Sequence, residues 1–136
     1  MDSCIFCKIV KGEILSYEVY EDENALAFLT IAPINPGHTL VIPKKHQKYL
    51  FDLEDKELAV LMIAAKKVSH TLRDVFKPRT NKIGVMVAGL EVPHAHIHLI
   101  PMNSEGDLNF SLSRHATKEE LEEAYHLLKK DLTSSN

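Results

Sequence analysis

The stretch Pro93-His94-Ala95-His96-Ile97-His98-Leu99-Ile100-Pro101 alternates imidazole with apolar side chains. In an extended strand, successive side chains point to opposite faces. His94, His96 and His98 therefore share one face of a strand read as Ala95 to Ile100. Ala95, Ile97 and Leu99 share the other, which can pack on a core. Pro93 and Pro101 bracket the strand, since proline is tolerated at strand ends and rarely within. The stretch predicts a half-buried strand with its imidazoles on the outer side. Like charges so close repel, which favours neutral rings. A neutral imidazole serves as nucleophile or ligand. One histidine on a strand is most often an ordinary surface or core residue. Three on one face, in a chain of eight histidines, point to a site. A pure metal site is a competing reading, because a His-x-His strand pair commonly holds zinc or iron.

Upstream, Tyr17 to Tyr20 and Ala25 to Thr30 are rich in strand-forming residues around Asp22-Glu23-Asn24, and read as a β-hairpin. Pro33, Pro36 and Gly37 mark a loop. His38 to Ile42 reads as a strand stopped by Pro43, and Lys82 to Val87 as another. Between them lies the main helix, with Asp52 as N-cap, Glu54 and Asp55 in the first turn, and Pro78 closing the segment. Leu58, Leu61, Met62, Ala65, Val68 and Leu72 recur on it at helical spacing. Thr117 and Glu120 form a capping box opening a short helix with Leu121, Ala124, Tyr125 and Leu128 on one stripe. Thr133 to Asn136 read as a frayed end. Strands joined by tight turns, with segregated helices, predict an antiparallel α+β domain.

The 136 residues fit one domain, with a core over about 4–101 and a C-terminal segment with its helix over 102–132. A net charge of -3 argues against a nucleic-acid backbone binder. Lys44, Lys45 and Lys48 make only a small cluster, read as a solvated surface. No apolar run is long enough to span a bilayer, and no signal peptide is visible, so a cytosolic protein is expected. Cys4 and Cys7 form a C-x-x-C. A disulfide framework needs more cysteines and an oxidising compartment. A redox motif usually follows a strand, and none precedes this pair, so half of a zinc site is favoured over redox chemistry, with two inert buried thiols as the other reading.

The segment Pro36-Gly37-His38-Thr39-Leu40-Val41-Ile42-Pro43-Lys44-Lys45-His46, followed by His94 to Pro101, resembles the histidine triad (HIT) family. The signature of that family is His-x-His-x-His flanked by apolar residues. The resemblance is strongest to its Hint branch of nucleoside phosphoramidase-like members and runs from about Cys4 to Pro101. It implies a HIT-like five-stranded antiparallel sheet with a main helix and a C-terminal helix. It also implies a homodimer joined through the main helix and an edge strand. His96 becomes the nucleophile at the α-phosphorus of a purine nucleotide, passing through a nucleotidyl-histidine that water hydrolyses. His98 and His38 become donors to the phosphate oxygens. His94 orients the nucleophile's surroundings or binds zinc. Members carrying C-x-x-C hold structural zinc, which here assigns Cys4, Cys7, His46 and His94, a closed tetrahedral set.

Two positions depart from the family pattern. Thr30 stands where an acidic residue holds the ribose hydroxyls, and offers a weaker, uncharged bond. The loop Val87 to Pro93 is short, with Ala88 in place of an asparagine. Glu91 there either serves the leaving group as an acid or is a solvated carboxylate. The expectation is a hydrolase of nucleoside monophosphate derivatives. The alternatives are a nucleotide-binding or interaction module with little catalysis, and a metalloenzyme with metal directly on the triad.

Overall fold

A computed structural model describes the backbone of residues 3–134 and the side chains of residues 3–130. Its centre is a five-stranded sheet in the order β1-β2-β3-β5-β4, formed by β1 (Glu18–Glu21), β2 (Ala25–Leu29), β3 (Thr39–Pro43), β4 (Lys82–Met86) and β5 (Ile97–Met102). Every neighbouring pair is antiparallel. The β1–β2 turn is held by Asp22, whose carboxylate accepts from the N–H groups of Asn24 and Ala25 at 2.8 Å.

The two inner strands, Ala25–Leu29 and Thr39–Pro43, are buried at every position, which explains why they read as apolar runs and not as alternating ones. Ala25, Ala27, Leu29 and Val41 pack with Ile97 and Leu99 under helices α2 (Asp55–Phe76) and α3 (Lys118–Ser134). Leu26, Phe28, Leu40 and Ile42 pack on the opposite face with Phe6 and Ile9 of helix α1 (Ile5–Val10). Sequence analysis had no helix at α1. Its six residues are too few to show a period, and Cys4 itself caps it, accepting from the Cys7 N–H at 3.4 Å.

Helix α2 begins later than expected. Its N-cap is Glu54, locked in a capping box with Glu57, while Asp52 ends a separate 3-10 turn, Leu50–Asp52. Leu53 between them is extended and buried, so the chain re-enters the core before the helix starts. Met62, expected on the buried stripe, is 42% exposed, and Ala64 is buried in its place. Lys77 adopts a left-handed conformation at the C-cap, just before Pro78. On α3 the Thr117–Glu120 capping box is formed, and Leu121, Ala124 and Leu128 join the main core. The expected frayed end reaches partly into this helix, which continues to Ser134; Ser135 and Asn136 lie outside the described residues.

The histidine strand also shifts. β5 starts at Ile97, not Ala95, and runs through Pro101 to Met102. The Ala95 N–H is taken by the Gln47 carbonyl at 2.6 Å, so ladder pairing with β3 opens only at Val41 and Ile97. Pro101 is tolerated inside the strand because pairing with β3 ends at Thr39 and Leu99. Its carbonyl, on the side where β3 has already ended, accepts from the Asn35 side chain at 2.8 Å. The alternation of faces survives. Ala95, Ile97 and Leu99 enter the core under α2, and the histidines turn the other way. They are not on an outer surface: His94 is fully buried and His96 is only 7% exposed, both against Phe6 of α1.

Candidate functional site

The histidine row divides into two groups with different surroundings. At its start, Cys4, Cys7, His46 and His94 converge, and their ligand atoms lie within 4.8 Å of one another. The Nδ1 of His94 is 3.4 Å from the Cys4 sulfur, 3.5 Å from the Cys7 sulfur and 3.3 Å from the His46 Nδ1. The Cys7 sulfur is 3.1 Å from the His46 Nδ1. A tetrahedral zinc ion, bonded at roughly 2.0–2.3 Å, spaces its ligand atoms roughly 3.3–3.8 Å apart. The donor set fits such an ion, and the three spacings from His94 Nδ1 fall within that range. The Nε2–H of His94 donates to the Pro43 carbonyl at 2.9 Å, which leaves the Nδ1 lone pair facing the cluster. The Cys7 thiol is pushed up, chiefly by burial and then by Cys4 beside it, a resistance to ionisation that a bound cation would relieve.

The second group is His38, His96 and His98. The ring of His96 lies 5.0 Å from that of His98, which lies 5.2 Å from that of His38. Fixed backbone partners set the tautomers. The Ile34 N–H donates to His38 Nδ1 at 3.0 Å, so the His38 proton sits on Nε2. That Nε2 is 2.9 Å from His98 Nδ1 and donates to it, which places the His98 proton on its own Nε2. The His94 carbonyl, an acceptor only, lies 2.7 Å from His96 Nδ1, so His96 donates there and keeps a lone pair on Nε2. Burial pushes His38 down to about 4. Burial, with His38 and His96 alongside, pushes His98 down to about 3. Both rings are therefore neutral near pH 7. The result is one imidazole with a bare nitrogen beside another with an outward N–H donor.

His38, His46 and the His94 to His98 row lie within the span of a known domain: the HIT domain pattern matches residues 11–105. The chain belongs to the HIT family. It is 42% identical over 109 residues to Protein hit of Bacillus subtilis, covering 78% of this chain and 75% of that protein. An adenosine 5'-monophosphoramidase of Saccharomyces cerevisiae is 40% identical over 104 residues, or 76% of this chain and 65% of the yeast protein. The crystal structure of a zinc-bound histidine triad family protein from Mycobacterium smegmatis superimposes with a TM-score of 0.80 at 30% identity, covering 99% of each chain.

Two expected residues of this HIT protein stand apart from the row. Thr30 is half-buried next to His38 through the backbone, its N–H donating to the His38 carbonyl at 3.2 Å. Its hydroxyl accepts from the Ala32 N–H at 3.2 Å. Glu91 is exposed in the loop that leads into the triad. Conversely, the row is flanked by two phenylalanines that sequence reasoning missed. Phe6 stands edge-on to His96 at 5.1 Å and to His94 at 5.9 Å. Phe110 packs against His98 at 4.8 Å. No spacing rule distinguishes such rings from ordinary core residues. Among the described residues, no helix is long and apolar enough to cross a membrane.

Proposed function

We propose that this HIT protein is a nucleotide hydrolase that cleaves nucleoside monophosphate derivatives, such as phosphoramidates or adenylylated amines, at the α-phosphorus. The observation that carries the reading is the tautomer pattern: a lone pair on His96 Nε2 beside an N–H on His98 Nε2. The His96 nitrogen attacks phosphorus, the bond to the leaving group breaks, and the leaving amine departs with a proton taken from solvent. Water then attacks the nucleotidyl-histidine, the P–N bond breaks, the water's proton returns to solvent, and His96 and the nucleoside monophosphate are released. His98 donates to a phosphate oxygen as charge develops, and His38 holds His98 in the donating tautomer. In this assignment Thr30 meets the ribose of a purine nucleotide, and Glu91 meets the leaving group from the solvent side of its loop.

The yeast relative's name as an adenosine 5'-monophosphoramidase supports the substrate class. The intact mass of the protein after brief exposure to an adenosine phosphoramidate is the deciding measurement. A nucleotidyl adduct absent from His96→Ala is the expected result. Tight binding with neither adduct nor release would instead make the protein a binding module. That second reading draws on Thr30, whose uncharged hydroxyl already accepts a backbone bond.

We assign structural zinc to Cys4, Cys7, His46 and His94. The assignment leaves His96 and His98 outside the ligand set, against the reading that puts metal directly on the triad. Both cysteines must remain thiolates to bind zinc, which suits the reducing cytosol. We take residues 1–136 as one domain, since Leu121, Ala124 and Leu128 of α3 share the core of the sheet. A homodimer fits the exposed Met62 and Ile63 on α2 and Val85 on the edge strand β4, at 42%, 56% and 50% exposure.

A further inference from the structure

We propose that Phe110 is a positioning residue for the phosphate donor: its ring covers the open side of the His98 imidazole, holds it against His38 and keeps water out of the His38–His98 hydrogen bond. The proposal rests on the function assigned above.

Phe110 belongs to the 3-10 turn Phe110–Leu112, and Asn109 caps that turn by accepting from the Ser111 N–H at 2.9 Å. The ring centroid of Phe110 lies 4.8 Å from that of His98, with the planes 62° apart. Such an edge-to-face contact is directional and restrains the ring it touches. The turn is held in place from both sides. Before it, Asp107 accepts from the Asn35 side chain at 3.0 Å and from the Asn103 N–H at 2.7 Å. After it, Arg114 donates to the Pro33 carbonyl at 3.2 Å and Ala116 to the Ile31 carbonyl at 3.0 Å. Of these anchors, Asn35, Pro33 and Ile31 lie in the same loop that supplies the Ile34 N–H to His38. The C-terminal segment and the donor relay are thus fixed to one piece of backbone.

Phe110 is 43% exposed, so core packing does not account for its place. Among the described residues, the rings in contact with His98 are His38, His96 and Phe110, and the titratable ones are the two histidines. Two charged groups flanking the turn are engaged elsewhere: Asp107 with Asn35, Asn103 and Ser104, and Arg114 with Glu120 at 3.6 Å. Among the described residues, the charges acting on His98 are those of His38 and His96, with no carboxylate to stabilise an imidazolium there. Burial first, then His38 and His96 alongside, keep that ring neutral, and the Phe110 ring packs against it.

The test follows the His98 imidazole by nitrogen-15 NMR across pH in the full chain, beside the pH dependence of kcat/KM on an adenosine phosphoramidate. In Phe110→Ala, His98 should become easier to protonate by at least about one pH unit. The acid limb of the kcat/KM profile should move up with it, and kcat/KM at about pH 4 should fall about twofold relative to wild type. Phe110→Leu restores an apolar cover and should recover most of both effects. An unchanged His98 titration in Phe110→Ala, or a leucine variant no better than alanine, overturns the proposal. The NMR arm does not need turnover. A wild type without a His96 adduct would sink the hydrolase reading, while the titration would still decide whether Phe110 covers His98.

Discussion

His96 Nδ1 donates to the main-chain carbonyl of His94 at 2.7 Å. The same residue that offers its Nδ1 to the Cys4, Cys7 and His46 cluster thus sets, through its backbone, the tautomer of the ring with the free nitrogen. Phe6 gives a second connection, since its ring touches both His94 and His96. The Cys4, Cys7, His46 and His94 cluster and the His96–His98 pair are neighbours joined by one peptide unit and one aromatic ring, so the order of one constrains the other.

Replacing His96 with alanine should remove the nucleotidyl adduct and lower kcat by about 10³-fold or more, because the covalent route is lost while the donors remain. Stability should change little by comparison. His96→Ala turning over at near wild-type rate would show that the nucleophile lies elsewhere.

Chelation, or the Cys4→Ser/Cys7→Ser double variant, should reduce zinc from near one per chain to a small fraction. The thermal midpoint should fall by roughly 10 °C, the equivalent of about 3 kcal/mol. Metal analysis and calorimetry on the same samples check both. Full metal occupancy in the double variant would move the ion onto other histidines.

His38 and His98 make stability depend on pH in a defined direction. Both folded rings protonate far below their ordinary value of 6.5, at about 4 and about 3. Between those values and 6.5 the unfolded chain binds protons that the folded chain refuses. Their contribution is therefore fully present above about pH 7 and is lost as pH falls from 6.5 toward 4. For His38 the loss at pH 4.5 is about 2 kcal/mol, and for the more solvent-reached His98 it is less. Urea midpoints at pH 7 and pH 4.5 should converge in His38→Asn relative to wild type. An equal drop in both proteins would contradict the assignment.

The edge strand β4 carries Val85, 50% exposed, with one side of its backbone unpaired by the other described strands. A lysine there blocks strand-to-strand pairing. Val85→Lys should weaken self-association at least tenfold in sedimentation, leaving the fold intact. A wild-type chain that sediments as a monomer at micromolar concentration would remove the dimer from the reading.

The parts of this molecule that were legible in sequence are those whose chemistry is written in residue type. Three imidazoles at period two, and two thiols at spacing three, need no coordinates to suggest their grouping. The face alternation of Ala95, Ile97 and Leu99 held even though the ladder begins two residues late, because alternation depends on extended backbone and not on pairing. What escaped depends on partners distant in sequence. Helix α1 is recognisable only once Cys4 caps it and Phe6 meets the sheet. Asp52 is the better cap by residue type, and the buried, extended Leu53 moves the helix start past it to Glu54. Phe110 comes to His98 through a turn anchored on Asn35 and Pro33, a route no local pattern records.

Gly37 joins backbone geometry to the site most directly, and its substitution can be argued through. Its φ of +91° lies in the region that side chains with a Cβ avoid, and a Cβ there would meet the Phe76 ring at 2.6 Å. Gly37 also immediately precedes His38, and its carbonyl accepts from the Thr39 hydroxyl at 2.7 Å, so any relief of strain moves the start of β3. Gly37→Ala should therefore cost about 2–3 kcal/mol, part from φ and part from the clash. It should also lower kcat, because the His38 Nε2 to His98 Nδ1 distance of 2.9 Å leaves little room for displacement. Phe76→Ala in the same chain removes the clash but not the backbone strain. A double-mutant cycle should then show about 1–2 kcal/mol of favourable coupling between the two substitutions, with partial recovery of kcat. Additive effects would mean that the Phe76 ring swings aside freely, and that backbone strain alone makes glycine necessary at this position.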